Sequence, residues 1–192
     1  MSYTCINIQN NSQLFKKSMQ IYRDSFEPSQ REDEMTILKN ITSNNYKMFS
    51  LVEKGKVIGF YILDISEKLN YALLTFLAVK KSLRGKGVGS QLSLHAINYF
   101  HKSLPSQYLL IEAESRQAKL YAKLGFKILD IDYNIPKFDS EKSLPMHLML
   151  ITKDLPLDAI TLTSIIKDIF CRGYSLSEND PRLEEQLTKI IN

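Results

Sequence analysis

Residues 71–79 read YALLTFLAV, apolar at every position except Thr75. A run this short and unbroken fits a strand buried on both faces. It is far shorter than the roughly 20 residues that cross a membrane as a helix. It is also the third strand in a row. YKMFSLVE (46–53) and KVIGFYILDI (56–65) precede it and flank Lys54-Gly55, a dipeptide suited to a tight hairpin.

The rest of the chain alternates between the two periods. YTCINIQ (3–9) alternates as a strand does, and Phe15, Met19, Tyr22 and Phe26 then mark one face of a helix. SFEPSQREDE reads as a loop opening a second helix that runs to about Thr42. Val88, Leu92, Ala96 and Tyr99 predict a further helix, YLLIEA (108–113) a strand, and 116–124 a short helix closed by Gly125. FKILDIDY (126–133) and MHLMLI (146–151) predict two strands, joined by a loop with Pro136 and Pro145. Two helical patterns follow from Leu157, the first marked by Leu162, Ile165, Ile166, Ile169 and Phe170, the second by Leu183, Leu187, Ile190 and Ile191. The pattern is that of one α/β domain with a helical C-terminal extension.

Composition narrows the function classes. With 192 residues, 44% apolar, the chain is long enough for one substantial core. Cys5 and Cys171 make neither a disulfide framework nor a zinc site, and the N-terminus is polar, so a reducing, cytoplasmic setting is expected. His95, His101 and His147 lack metal-ligand spacing, and no metal is expected. The net charge of +4 is spread out, without the basic stripe of a nucleic-acid binder, so neither a nucleic acid nor a membrane is an expected partner.

Between the apolar run and the next helix stand Gly85, Gly87 and Gly89. A tight turn with a helix cap needs one glycine, not three. Backbone amides at a helix start sit at the positive end of the dipole, and glycine lets a pyrophosphate approach them. Arg84 and Lys86 add charge, and Ser90 a hydroxyl. A Walker loop requires Gly-Lys-Ser/Thr, which GKGVGS lacks. A G-x-G-x-x-G fingerprint requires glycine where Ser90 stands. Glu112 does lie at a distance suited to a ribose, so an NAD-dependent oxidoreductase stays open as an alternative.

Arg84-Gly85-Lys86-Gly87-Val88-Gly89 resembles the R/Q-x-x-G-x-G/A loop of the GNAT acyltransferase superfamily, and AKLYAKLGFK (118–127) resembles its second signature. SFEPSQRE and YNIPKFDSEKSLPMHLM extend the resemblance to a bacterial GNAT subgroup, over about residues 3–151. It implies a GNAT-like mixed, mostly antiparallel central sheet flanked by helices. Residues 1–154 would form the acyltransferase domain, and 155–192 a helical extension packed on it or forming a dimer contact, in a monomer or homodimer. It implies acetyl-CoA or another acyl-CoA as co-substrate, with direct attack by a primary amine of a small molecule, peptide or protein lysine in a ternary complex. The strands ending at Val79 and near Ala113 are expected to splay. Pantetheine would lie along Leu77, Ala78 and Val79, and pyrophosphate on the loop from Arg84 through Gly85, Lys86, Gly87, Val88 and Gly89 to Ser90. Tyr121 matches the tyrosine that serves the family as general acid. Where family members often carry an acid on the central strand, this chain has Thr75 and Ala78. Glu112 and Glu114 share a face of the next strand by alternation, and Glu112, inside the apolar run, ranks first as base. Phe26, Glu27, Arg31 and Glu32 fall where the family builds its acceptor pocket. A second reading is a GNAT-like module that senses acyl-CoA or an amine without turnover.

Overall fold

The computed structural model describes residues 3–9, 12–138 and 140–191, the last without its side chain. The extreme ends of the expected 1–154 and 155–192 segments, and Asp139, lie outside the described residues. The chain runs β1 (Thr4–Asn7), α1 (Ser12–Ser25), a 3-10 turn (Pro28–Gln30), α2 (Glu34–Thr42), β2 (Tyr46–Glu53), β3 (Lys56–Ser66) and β4 (Tyr71–Val79). A second 3-10 turn (Lys81–Leu83) leads to α3 (Val88–Ser103), β5 (Tyr108–Ala113), α4 (Ser115–Lys123), β6 (Lys127–Ile128), β7 (Tyr133–Pro136) and β8 (Ser143–Thr152). The tail holds α5 (Ala159–Asp168), a π-helical turn (Ile169–Gly173) and α6 (Pro181–Ile191).

The strands form one sheet in the order β1-β2-β3-β4-β5-β8-β6, with β7 pairing β8 beside β6. Every pairing is antiparallel except β4 with β5. This is the GNAT-like mixed sheet flanked by helices, not the parallel doubly wound sheet that a dinucleotide fold requires. Lys54 and Gly55 both adopt positive φ, 48° and 74°, the geometry of a type I′ hairpin.

β4 lies in the middle of the sheet, as its composition demands. Its register against β3 runs Ile62↔Phe76 and then Leu63↔Leu74, so Thr75 is a bulge. The extra residue reverses the alternation. Ala72, Leu74 and Val79 pack in the core under α3 and α4. Phe76 and Ala78 pack with α1 and α2, and Tyr71 and Leu73 with the tail.

FKILDIDY is not one strand. It breaks at Leu129, where Ile131 N–H turns back to the Leu129 carbonyl, and only Lys127–Ile128 and Tyr133–Pro136 are extended. Both pieces pair the long β8 at offset registers, and α6 docks at the break, where Gln186 donates to the Asp132 carbonyl at 3.0 Å and Lys189 pairs with the Asp132 carboxylate at 3.1 Å. Pro136 and Pro145 stand within the β7–β8 pairing, not in the loop that joins it. α5, the π-helical turn and α6 bury Leu162, Ile165, Ile166, Ile169, Phe170 and Leu183 against Tyr71, Tyr108, Leu110 and Leu148.

Candidate active site

β4 and β5 pair only from Tyr71↔Tyr108 to Leu73↔Leu110. Beyond that point β4 stays with β3, β5 stays with β8, and the two strands splay. A cleft of about 260 Å³ opens in the gap, beside the Thr75 bulge. Lys80 N–H donates to the Ile58 carbonyl at 2.9 Å. Antiparallel alternation therefore turns the backbone N–H and C=O of Leu77 and Val79 away from β3, toward the gap. Ala78 turns its backbone to β3 and its side chain to the α1 side.

The glycine loop joins β4 to α3. Gly85 and Gly87 have φ of 75° and 80°, a left-handed conformation that L side chains resist. A Cβ at either would meet nothing within 4 Å. Gly89 lies in the first turn of α3, where the nearest atom to an added Cβ is Val79 Cγ2 at 3.9 Å. Nothing in the chain itself requires glycine there, yet the position is empty of side chain. Gly87 caps α3 without a side-chain hydrogen bond, so the first-turn amides face the open loop. Val88 is a core residue that fixes the helix start, and Lys86 is exposed. Arg84 donates from Nε to the Val79 carbonyl (3.2 Å) and from Nη2 to Ser25 Oγ (2.9 Å). Its guanidinium fastens the loop to the ends of β4 and α1.

Tyr121 of α4 and Glu112 of β5 both line the cleft. Tyr121 is 8% exposed, and burial pushes its phenol up to about 12, with the Ser93 hydroxyl of α3 acting against the rise. The Glu112 carboxylate accepts hydrogen bonds from Tyr133 at Oε1 (2.5 Å) and Tyr174 at Oε2 (2.6 Å). Burial raises its pKa, and the two tyrosine bonds work against that rise. Glu114 also reaches the cleft, but as an exposed residue at the start of α4.

The acidic loop divides. Asp33 caps α2, accepting from Met35 N–H and Thr36 N–H at 2.9 and 3.1 Å. Glu27 is exposed, at the start of the first 3-10 turn. Arg31 lines an outer cleft adjoining the first. Phe26 and Glu32 face the inner cleft. Glu32 is 9% exposed, accepts from the Tyr46 hydroxyl at 3.0 Å, and is pushed up to about 7, chiefly by burial. Lys137 and Phe138, from the loop between β7 and β8, close over this end, and Phe138 N–H donates to the Ser29 carbonyl at 3.0 Å.

Several site residues escape a sequence reading. Asp64 lines the same cleft at 1% exposure, paired with Arg172. Arg172 also bonds Asp168 and the Tyr71 hydroxyl. The π-helical turn after α5 brings Arg172 and Tyr174 back onto the sheet, a known habit of such turns near functional sites. His95 bonds the Tyr61 hydroxyl through Nδ1 at 2.8 Å. Among the described residues no group of His, Cys, Asp or Glu is placed to hold a metal, and no helix is long and apolar enough to cross a membrane.

Residues 44–128, from β2 through α4 to β6, match the family model described as an acetyltransferase (GNAT) domain. Solved structures share the fold across most of the chain. A protein assigned to the GNAT acetyltransferase family of Bacteroides thetaiotaomicron superposes with a TM-score of 0.74 at 19% identity, covering 92% of this chain and 100% of that one. The ribosomal-protein-S18-alanine N-acetyltransferase of Escherichia coli gives 0.63 at 20% identity, covering 82% and 97%. NAA60 of Arabidopsis thaliana, solved with acetyl-CoA, gives 0.64 at 14% identity, covering 80% and 100%. No curated protein matches the chain significantly. The splayed β4–β5 pair and the glycine loop both lie within the region that matches the acetyltransferase (GNAT) domain model. Over residues 44–128 the chain is similar to a GNAT acetyltransferase domain, and across most of its length it shares the fold of these solved structures.

Proposed function

We propose that the protein moves an acetyl or longer acyl group from CoA to a primary amine, by direct attack within a ternary complex. The observation that carries this is the through-gap between β4 and β5. It has a glycine cradle at one end, β4 backbone turned toward it along one edge, and a tyrosine and a buried carboxylate in its walls.

The first-turn amides of α3, from Val88 to Ser90, would hold the pyrophosphate over Gly85, Gly87 and Gly89, with Lys86 adding charge. Leu77 and Val79 would pair with the pantetheine amides. The acyl-CoA supplies an activated acyl carbon and a thiolate leaving group. Glu112 takes the proton of the attacking amine, which is otherwise held as an ammonium with a pKa near ~10.4. Its raised pKa makes it a stronger base than a solvated carboxylate. Tyr121 faces the leaving sulfur. With its phenol near 12 and a free thiol near ~8.5, full proton transfer would be uphill by about 5 kcal/mol. Tyr121 therefore stabilises the thiolate by hydrogen bonding as the C–S bond breaks, the acylated nitrogen sheds its second proton, and the thiolate takes up that proton through water. Tyr121→Phe is expected to lower kcat by about 10–100-fold, with acyl-CoA affinity nearly intact. Steady-state kinetics beside a binding titration check this, and equal turnover would remove Tyr121 from the mechanism.

The cradle has its own test. Alanine at position 89 fits the protein and suits a helix better, so Gly89→Ala is expected to stabilise the free chain by about 0.5–1 kcal/mol. The same methyl group would crowd a phosphate, and acyl-CoA affinity is expected to fall at least tenfold. Thermal unfolding with and without acetyl-CoA reads both effects. An undiminished acetyl-CoA shift in the variant would place the phosphates elsewhere.

A further inference from the structure

Four carboxylates line the cleft; Asp64 is paired with Arg172 and Glu114 is exposed, which leaves Glu112 and Glu32. Glu112 stands on β5, both oxygens engaged by Tyr133 and Tyr174. Glu32 stands just before α2, 9% exposed. Its hydrogen bond from Tyr46 uses Oε2 alone. Among the described residues every fully buried side-chain polar atom has a partner, so the unbonded Oε1 keeps its accessible area where Glu32 lines the clefts. The cation that acts on Glu32 most directly in this interior, Arg172, is already committed to Asp64 and Asp168. A carboxylate this enclosed, with one oxygen unbonded and no ion pair of its own, is costly in the empty protein.

The chemistry that would satisfy it is an ammonium. Phe26, Phe138, Tyr46 and Tyr174 line the same cleft, and aromatic walls favour a cation that also reaches a carboxylate. The attacking amine cannot be that ammonium, because it must surrender its proton at Glu112. One acceptor therefore meets two demands: a nitrogen that becomes neutral and a nitrogen that stays charged. A cleft of about 260 Å³ admits a short aliphatic chain between them.

We propose that the acceptor is a small diamine, with one amino group at Glu112 and Tyr121 and the other bound as an ammonium by Glu32. This rests on the acyltransferase reading above and names the substrate class of that site. Arg31 lines only the outer cleft, and Lys137, which lines both, makes no ion pair with Glu32.

The test follows thiol release from acetyl-CoA with 1,4-diaminobutane and 1,5-diaminopentane against butylamine and pentylamine, in wild type and Glu32→Gln. Wild type is expected to prefer the diamines by at least tenfold in kcat/KM, mainly through KM. In Glu32→Gln that preference is expected to shrink to within threefold. Equal use of diamines and monoamines by wild type, an unchanged preference in the variant, or better use of a lysine-containing peptide would each overturn the proposal. Failure of wild type to acylate any amine would overturn the acyltransferase reading instead. The site is then judged by thermal shift with 1,4-diaminobutane in the presence of CoA. A shift in wild type that Glu32→Gln loses supports the diamine site, and no shift in wild type overturns it.

Discussion

Glu112→Gln is expected to lower kcat/KM by about 10²–10⁴ while leaving the chain folded. The amide is isosteric and can still accept from one of the two tyrosines, but it cannot take a proton. The pH dependence is the sharper signature. Burial holds the Glu112 pKa above its ordinary value, so the base form is lost as pH falls through that raised value. Wild-type kcat/KM should fall on the acid side there, and the variant should lack that limb. The effect on stability has the opposite sense. A carboxyl whose folded pKa is raised contributes stability at low pH that is lost as pH rises through the folded value. Removing its charge thus favours the fold above that pH, and thermal melting of Glu112→Gln separates lost activity from unfolding. A variant with wild-type rates and the same acid limb would reject Glu112 as the base.

A chain ending at residue 154 is expected not to fold. Leu162, Ile165, Ile166, Ile169, Phe170 and Leu183 are all at or below 8% exposure, packed on β4, β5 and β8. At about 1.5–3 kcal/mol for each buried side chain, the tail contributes on the order of 10 kcal/mol, comparable to the ~5–15 kcal/mol that holds a whole domain. Truncation would also strip Arg172 from Asp64, leaving a buried carboxylate unpaired, at about 3–5 kcal/mol more. On this account residues 155–192 are part of one folding unit. Expression of the 1–154 fragment, followed by near-ultraviolet circular dichroism and thermal melting, checks it. A soluble fragment with a cooperative transition would contradict it.

The elements legible in the sequence are those whose pattern is local. The apolar run of β4, the Lys54-Gly55 hairpin and the glycine loop opening α3 each carry their own signal and stand where that signal puts them. The misses have a common physical cause, since each depends on contacts made at long range. The bulge at Thr75 is silent in a run that is apolar on both sides of it, so the faces of β4 cannot be counted from its sequence. FKILDIDY alternates like a strand but is broken to pair twice with β8 and to receive α6. In the acidic loop, Glu27, Glu32 and Asp33 look alike, and only the path of the chain turns Glu32 inward. Asp64 sits in an apolar strand at a position whose partner, Arg172, is 108 residues away. Tyr174 reaches Glu112 only because a π-helical turn redirects the chain after α5.

The most direct test of the central claim is the rate of thiol release from acetyl-CoA by the purified protein, with and without a panel of primary amines. Release should be saturable in acetyl-CoA, depend on the amine, and match acylated amine one for one. Release that never exceeds the protein-free rate with any amine would contradict it.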